Sequence, residues 1–325
     1  MSKHKDNRWS NYALRIIINT VSHPFEYAKV LIQIGYEPIP PKATKTLFGK
    51  HALKLPNIFE YVKHIKSVDG FVGCYNGLAP KVCGNLMSAI ATQRLTDYFQ
   101  PPVEQEDLEE EPTDEQQRKN FIRALKCEVM THSVAIVVSQ PFHVITVRMM
   151  AQFIGKETKY AGIFSSVQEI YRENGLLGFF SGLIPRLIGD ILSVLLASGL
   201  TYIINRYVID EKELKVYTSP TMTVNTIPRQ LRTFLIKFSF QFLSTTITYP
   251  FQVISNCMAV TDSGLTAGSP PYMPHYKNWI DCWGDLSNRN QLKRGSSLLV
   301  RYYVGPSIII GGQPVPFTTN NDKLM

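Results

Sequence analysis

Nowhere in this chain is there a run of 18 or more residues free of polar groups, so no segment reads as a plain lipid-facing span. The mean hydropathy is −0.06, low for a lipid-filled bundle. That value fits a soluble protein, or a membrane protein with a polar interior. Cysteine is sparse: Cys74, Cys83, Cys127, Cys257 and Cys282 are scattered, odd in number and without a C-x-x-C pair, which argues against a disulfide framework or a zinc site. There is no Gly-rich phosphate loop, metal-ligand cluster or nucleophile elbow, so neither an enzyme nor a cofactor is expected. His23, His51, His64, His132 and His143 stand apart from one another, and His132 and His143 are expected to be hydrogen-bonded inside a bundle. The net charge is +8 with a pI of about 9.1, a balance that suits anionic lipid surfaces or nucleic acid. No nucleic-acid module or aromatic stacking platform accompanies it, which discounts nucleic acid as a partner. Met1–Arg8 is short and basic but lacks the features of a transit or signal peptide, so any membrane address is expected to be internal.

What is present begins with a long, mostly apolar run from Trp9 to Ile34. As a helix its about 26 residues span about 39 Å, enough to cross a ~30 Å hydrocarbon layer with some tilt. Arg15, Asn19, Ser22, Glu26, Lys29 and Gln33 recur at alternating helical steps and share one face. Ile16, Ile17, Ile18, Val21, Phe25, Val30, Leu31 and Ile32 cover the other. A soluble amphipathic helix would show the same split. The breadth of the apolar face favours the membrane, where the polar face must look onto protein or a water-filled cavity. Pro24 predicts a kink.

The surroundings of Pro24 recur. His23-Pro24-Phe25-Glu26 is matched by Gln140-Pro141-Phe142-His143 and by Tyr249-Pro250-Phe251-Gln252, each inside a long helical run. Downstream, Gly70 leads to Tyr75-Asn76-Gly77 and Pro80-Lys81. Gly175 leads at the same spacing to Phe180-Ser181-Gly182 and Pro185-Arg186. The third copy keeps Gly295, but Asn288 replaces its first glycine and Leu298 its proline. Each glycine pair predicts the end of a short surface helix and a turn, and the proline predicts the start of the next long helix. The short helices are predicted over Phe59–Val68, Phe164–Arg172 and Trp279–Leu286. The domain plan is repeat one over 1–100, an acidic solvated linker over 101–118, repeat two over 119–209 and a polar linker over 210–227. A degenerate repeat three covers 228–304, and a Gly/Pro-containing tail covers 305–325. The sixth long helix is expected to be truncated or missing, because Gly305-Pro306 interrupts it too early to span.

These residues resemble the mitochondrial carrier repeat, P-x-[DE]-x-x-[KR]-x-[KR] followed by [DE]-G-x-x-x-x-[YWF]-[KR]-G, over the chain to about Arg301. Val30–Pro41 and Tyr276–Trp283 resemble more closely the divergent mitochondrial carrier homologue 2 family of the outer mitochondrial membrane. The resemblance implies an all-α, multi-pass membrane protein: a threefold pseudo-repeat bundle with Pro24, Pro141, Pro250, Gly70, Gly77, Gly175, Gly182 and Gly295 as its structural positions. In transporting carriers the acidic and basic residues after each proline pair between neighbouring helices and close one end of a cavity. Here copy one keeps Glu26 and Lys29. Copy two has His143 and Thr146, with Arg148 at the last basic position, and copy three has Gln252, Ser255 and Cys257. The second ring expected on the even-numbered helices is absent from Leu95–Gln100 and Thr201–Tyr207. Alternating access needs two gates, and neither is built.

Polar stripes run along the other helices too: Lys81, Asn85, Ser88 and Thr92; Glu128, His132, Ser139, His143 and Thr146; Arg186, Asp190, Ser193, Thr201 and Asn205; Lys237, Gln241, Ser244, Thr248, Gln252 and Ser255. Mutual pairing as a structural core accounts for some of them, Arg186 with Asp190 first. Ionisable groups within spans more often mark a pathway. Five helices around a polar interior leave a groove open to lipid, and Arg15, Asn19, Glu26, Lys29, Asn85, His143, Asp190, Lys237 and Gln241 are its candidate lining. The family resemblance implies insertion of tail-anchored and other α-helical proteins into the outer mitochondrial membrane, and docking of an apoptotic Bcl-2-family protein. A degenerate solute carrier, a lipid scramblase and a pure scaffold are the alternatives. The scaffold's surface would be the basic segment with Lys42, Lys45, Lys50, Lys54, Lys63 and Lys66, or the acidic linker.

Overall fold

A computed structural model describes residues 2–45, 49–99, 114–207, 229–303, 305, 307–310 and 313–316. The polar linker over 210–227 and residues 101–113 of the acidic linker lie outside them. Long helices α1 (Ser2–Ile34), α4 (Asp114–Gly155) and α7 (Arg229–Val260) each run through their motif proline. The short helices are α2 (Ile58–Gly73), α5 (Ile163–Asn174) and α8 (Trp279–Asn288), where the turn signals put them. The even-numbered long helices are α3 (Leu78–Phe99) and α6 (Leu183–Tyr207). Local chemistry sets the ends. Asn57 and Glu60 form a reciprocal capping box on α2, and Asn278 caps α8 through Asp281 N at 2.9 Å. Gly175 closes α5 at φ 63°.

After α8 the chain forms strands that the sequence reading did not anticipate. No helix follows Asn288 among the described residues. Instead β3 (Arg301–Tyr302) joins β2 (His51–Leu55), which pairs with β1 (Lys42–Lys45) in an antiparallel sheet of order β1-β2-β3. A hairpin of β4 (Ser307–Ile310) and β5 (Gln313–Pro316) follows. The strand pattern is local: Leu53 is buried while its neighbour Lys54 faces solvent, the period of a half-buried strand. Arg301 holds β3 in place. Its guanidinium donates to the Pro56 carbonyl at 3.1 Å and pairs with Glu37.

The chain divides into two compact units. One comprises Met1–Leu86, Ser139–Leu183 and Val253–Met325, the other Met87–Val138 and Ile184–Gln252. In the first, the C-terminal halves of α1, α4 and α7 form a core with α2, α5 and α8. Tyr27, Leu31, Val144, Met150, Val253 and Ile254 are its fully buried members, joined by Tyr61, Ile170 and Leu286. Polar links tie the helices. Asn256 Nδ2 donates to Gln33 Oε1 at 2.7 Å, and buried Arg148 donates from Nε to the Ala259 carbonyl at 2.9 Å in the last turn of α7. The basic position that survives in copy two therefore caps a helix C-terminus, where a cation is favoured.

The second unit has its polarity reversed. Most of its buried side chains are small or hydroxylated, namely Thr131, Ala135, Ser193, Ala197, Ser244 and Thr248, with Ile136 and Val194 among them. Its large apolar side chains point outward, among them Ile184, Leu192, Leu195 and Ile203 on α6 and Phe238, Phe242, Leu243 and Ile247 on α7. Small residues let helices approach closely, and buried Ser244 and Thr248 hydroxyls donate to carbonyls one turn back in α7. An exposed apolar belt of this size marks a surface made for lipid or partner rather than water. Among the described residues two helices, Glu115–Gly155 and Leu176–Ile204, are long and apolar enough to cross a membrane. Only 17% of the second one's most apolar window is buried.

Candidate functional site

The polar positions are set by a packing scheme that the two complete repeats share. The residue before each proline binds the carbonyl that precedes the turn glycine of its own repeat. His23 Nε2 donates to Asn76 O at 3.0 Å, and Gln140 Nε2 to Ser181 O at 2.8 Å. His23 also stacks on Tyr75 at 6.1 Å between ring centroids. Next, each turn glycine sits against the helix of the following repeat. A Cβ on Gly77 (φ 83°) would lie 3.1 Å from Thr146 O, and one on Gly182 (φ 73°) only 2.4 Å from Ser255 O. Only glycine satisfies both the positive φ and the close backbone approach there. One helical segment on, Gly84 and Gly189 abut the phenylalanines that follow the next proline. A Cβ would fall 2.9 Å from Phe142 Cβ and 2.8 Å from Phe251 Cβ respectively.

This scheme disposes of the gate positions. Thr146 and Ser255 stand where a transporting carrier has its basic residues. Both turn their hydroxyls to backbone: Thr146 Oγ1 to Phe142 O at 2.8 Å, Ser255 Oγ to Gly182 O at 2.9 Å. Glu26 accepts from Ser22 Oγ at 3.1 Å and is paired with Lys81 on α3. Its ion pair is thus made to the even helix of its own repeat, not to the neighbouring long helix.

Of the candidate lining residues, Asn19, Glu26, Lys29, Asn85 and His143 belong to the first unit. Lys29 lies near Glu26 on α1, and Asn85 is exposed one turn beyond Lys81 on α3. His143 is half-buried on α4. The side chains of Arg15 and Lys237 lie outside the described residues. Asp190 and Gln241 belong to the second unit. Asp190 Oδ2 is 3.1 Å from His132 Nδ1, linking α6 to α4, and Arg186, half-buried one turn back on α6, lies close enough for charge interaction with Asp190. One turn before His132, Glu128 accepts from Ser198 Oγ at 2.9 Å. The structure therefore builds two polar stations, Ser22–Glu26–Lys81 in one unit and Glu128–His132–Asp190–Arg186 in the other. His23, Lys81, Glu128, His132 and Arg186 were not among the candidate lining residues. All but His23 stood in the helical stripes, and His23 shares its pre-proline position with Gln140. Among the described residues no group of three or more His, Cys, Asp or Glu side chains is placed to hold a metal ion.

Comparison with known proteins agrees with this architecture. The sequence profile described as "Mitochondrial carrier protein" matches residues 117–212. The chain is 40% identical over 292 residues to the Mus musculus protein named "Mitochondrial carrier homolog 2", covering 87% of this chain and 90% of that one. It is 39% identical to the Homo sapiens protein of the same name over the same shares. It is 38% identical over 297 residues to "Mitochondrial carrier homolog 1" of Mus musculus, covering 89% of this chain and 75% of the relative.

Proposed function

The chain belongs to the mitochondrial carrier homologue family, a carrier-like fold of mitochondrial membranes, and from that premise we propose that it inserts tail-anchored and other α-helical proteins into the outer mitochondrial membrane. The observation that carries the reading is α6: a long apolar helix, largely exposed, with Arg186 and Asp190 in its interior and Asp190 bound to His132. Ionisable groups in a span are costly and are kept where polar matter must pass or dwell. Polar residues at such a site lower the cost of drawing the hydrophilic flank of an apolar helix past hydrocarbon. Solute exchange is the weaker alternative, because Thr146 and Ser255 are committed to backbone and Glu26 to Lys81, which leaves no ring to open and close.

The test is reconstitution of the purified chain in liposomes and measurement of protease-protected insertion of a tail-anchored substrate. Insertion above empty liposomes is expected. Its absence with folded protein would remove the insertase reading. A second role, docking an apoptotic Bcl-2-family protein, is assigned to the basic sheet: Lys42 and Lys54 face each other across β1 and β2, and Lys45, Lys50, Lys63 and Lys66 are exposed. Like charges directly opposed on a sheet are unfavourable in isolation and are relieved by an acidic partner.

A further inference from the structure

In the second unit, α4, α6 and α7 border an open cavity of about 390 Å³ lined by Phe121, Leu125, Glu128, Ser198, Tyr202 and Gln241, among others. It lies where α4 begins, α6 ends and α7 begins, at the opposite end of these helices from the motif glycines Gly182 and Gly189. Phe121 and Tyr202 stack at 4.2 Å between centroids with 19° between planes, so each covers one face of the other and the pair joins α4 to α6 beside the cavity. Two turns along α4, Glu128 presents a carboxylate. Ser198 Oγ donates to Oε2 at 2.9 Å and fixes its direction. Among the described residues no Lys or Arg lines the cavity and none forms an ion pair with Glu128, while His132, one turn on, lies close enough for charge interaction with it.

A negative charge held by a neutral hydroxyl beside aromatic surface selects a cation. The carboxylate supplies charge, and Ser198, Thr201 and Gln241 supply neutral polar atoms around it. One turn deeper along α4 comes the His132–Asp190 pair, a second carboxylate on the same path. We propose that this cavity is the receiving site for an ammonium or guanidinium group, the Lys or Arg that flanks the apolar helix of a substrate, with Glu128 as its counter-ion. The inference rests on the insertase reading and adds the substrate class to it: basic-flanked helices are preferred over neutral-flanked ones. Glu128 binds the flank first, and Asp190 receives it next.

The test separates binding from insertion. A helical peptide of about 20 apolar residues, ending in Lys or in Gln, is bound to the full-length protein in phosphatidylcholine nanodiscs. Insertion of the same two sequences into liposomes is run in parallel. The wild type is expected to favour the Lys peptide by about fivefold, the upper end for an exposed ion pair. Glu128→Gln brings that ratio to unity, and Glu128→Asp restores part of it. Carbodiimide, which joins a carboxyl to an amine as an amide with the water carried off as a urea, is expected to couple the Lys peptide at Glu128. A ratio near five that survives Glu128→Gln overturns the proposal. So does a preference that vanishes in phosphatidylcholine but exists in phosphatidylglycerol nanodiscs, which would assign the cavity to the choline headgroup. A Glu128-dependent ratio without any insertion would refute the insertase reading and leave the cation site standing. Insertion with no charge preference would do the reverse.

Discussion

Two alanine substitutions on one helix test whether α6 is seated on α7 as described. Gly199 has nothing within 4 Å of an added Cβ, whereas a Cβ on Gly189 would lie 2.8 Å from Phe251 Cβ. In both, alanine removes the helical penalty of glycine, a gain of about 0.5–1 kcal/mol. Gly199→Ala therefore stabilises by that amount. At Gly189 the two carbons must separate to the 3.5–4.0 Å of ordinary contact, roughly 1 Å of movement between packed helices. Overpacking of that kind costs about 1–3 kcal/mol, so Gly189→Ala is destabilising on balance, and the variants differ by about 2 kcal/mol. For a domain-sized unit this corresponds to roughly 5 °C in apparent melting temperature. Thermal unfolding of the detergent-solubilised protein, followed by circular dichroism at 222 nm, reads the difference directly. Equal shifts for the two variants would refute the α6–α7 contact. The comparison is internal, because helix, membrane depth and substitution are the same.

Gly84→Ala is expected to lower the melting temperature like Gly189→Ala, since a Cβ on Gly84 would lie 2.9 Å from Phe142 Cβ in the matching place. Asp190→Leu breaks the link to His132 and is expected to slow protease-protected insertion about fivefold, roughly 1 kcal/mol of barrier; an unchanged rate in a folded variant removes Asp190 from the path. Arg301→Leu strands Glu37, and is expected to cost about 3 kcal/mol, the low end for a broken buried pair because Glu37 keeps 28% of its side chain in solvent. Burial already pushes the Glu37 carboxyl above its ordinary 4.5, with Arg301 opposing that rise. The folded chain therefore binds this proton more tightly than the unfolded chain, and the stability it contributes falls as pH rises from 4.5 through the raised value. Arg301→Leu widens that window, so urea melts at pH 4 and pH 7 diverge more for the variant than for the wild type, and Glu37→Gln in the same background removes the divergence. Lys42→Glu with Lys54→Glu is expected to abolish capture of an acidic Bcl-2-family partner; capture at wild-type level moves that role elsewhere.

The long and short helices were legible because their signals are local. Proline, paired glycines and caps such as Asn57 and Asn278 act within a few residues, and the 3.6-residue period does the rest. The polar stripes were legible as stripes, but not as pairs. Glu26 has Lys29 one turn away on its own face, yet the structure pairs it with Lys81, because a stripe does not say which neighbouring stripe it meets. The same gap hid the Glu128–Ser198 and His132–Asp190 links between α4 and α6. Arg148 read as a surviving gate residue; its contact with Ala259 O is made 111 positions away and turns it into a helix cap. The sheet was invisible for the same reason in stronger form. β1 and β2 are short, and what completes them is β3, fixed by an Arg301–Glu37 pair 264 positions apart.

That no helix follows Gly295 among the described residues is explained by the packing scheme rather than by hydropathy. The step from Gly77 to Gly84 repeats from Gly182 to Gly189, and each pair forms one seam: turn glycine on backbone, helix glycine on the next phenylalanine. Taken from Gly295, which keeps the positive φ at 71°, the same step lands on Tyr302, a strand residue paired across from Lys54. Tyrosine there cannot accept a phenylalanine where glycine does, since Gly84 and Gly189 leave no room even for a methyl group. The phenylalanine that would have used this third seam is Phe25, and it makes a different contact, edge-on to Phe59 of α2 at 5.5 Å. Arg301, one residue before that missing glycine, ties the chain to Glu37 and Pro56 instead. Tyr302 and Arg301 thus act together: one leaves no glycine seam for a helix there, and the other ties the chain into the β1-β2-β3 sheet.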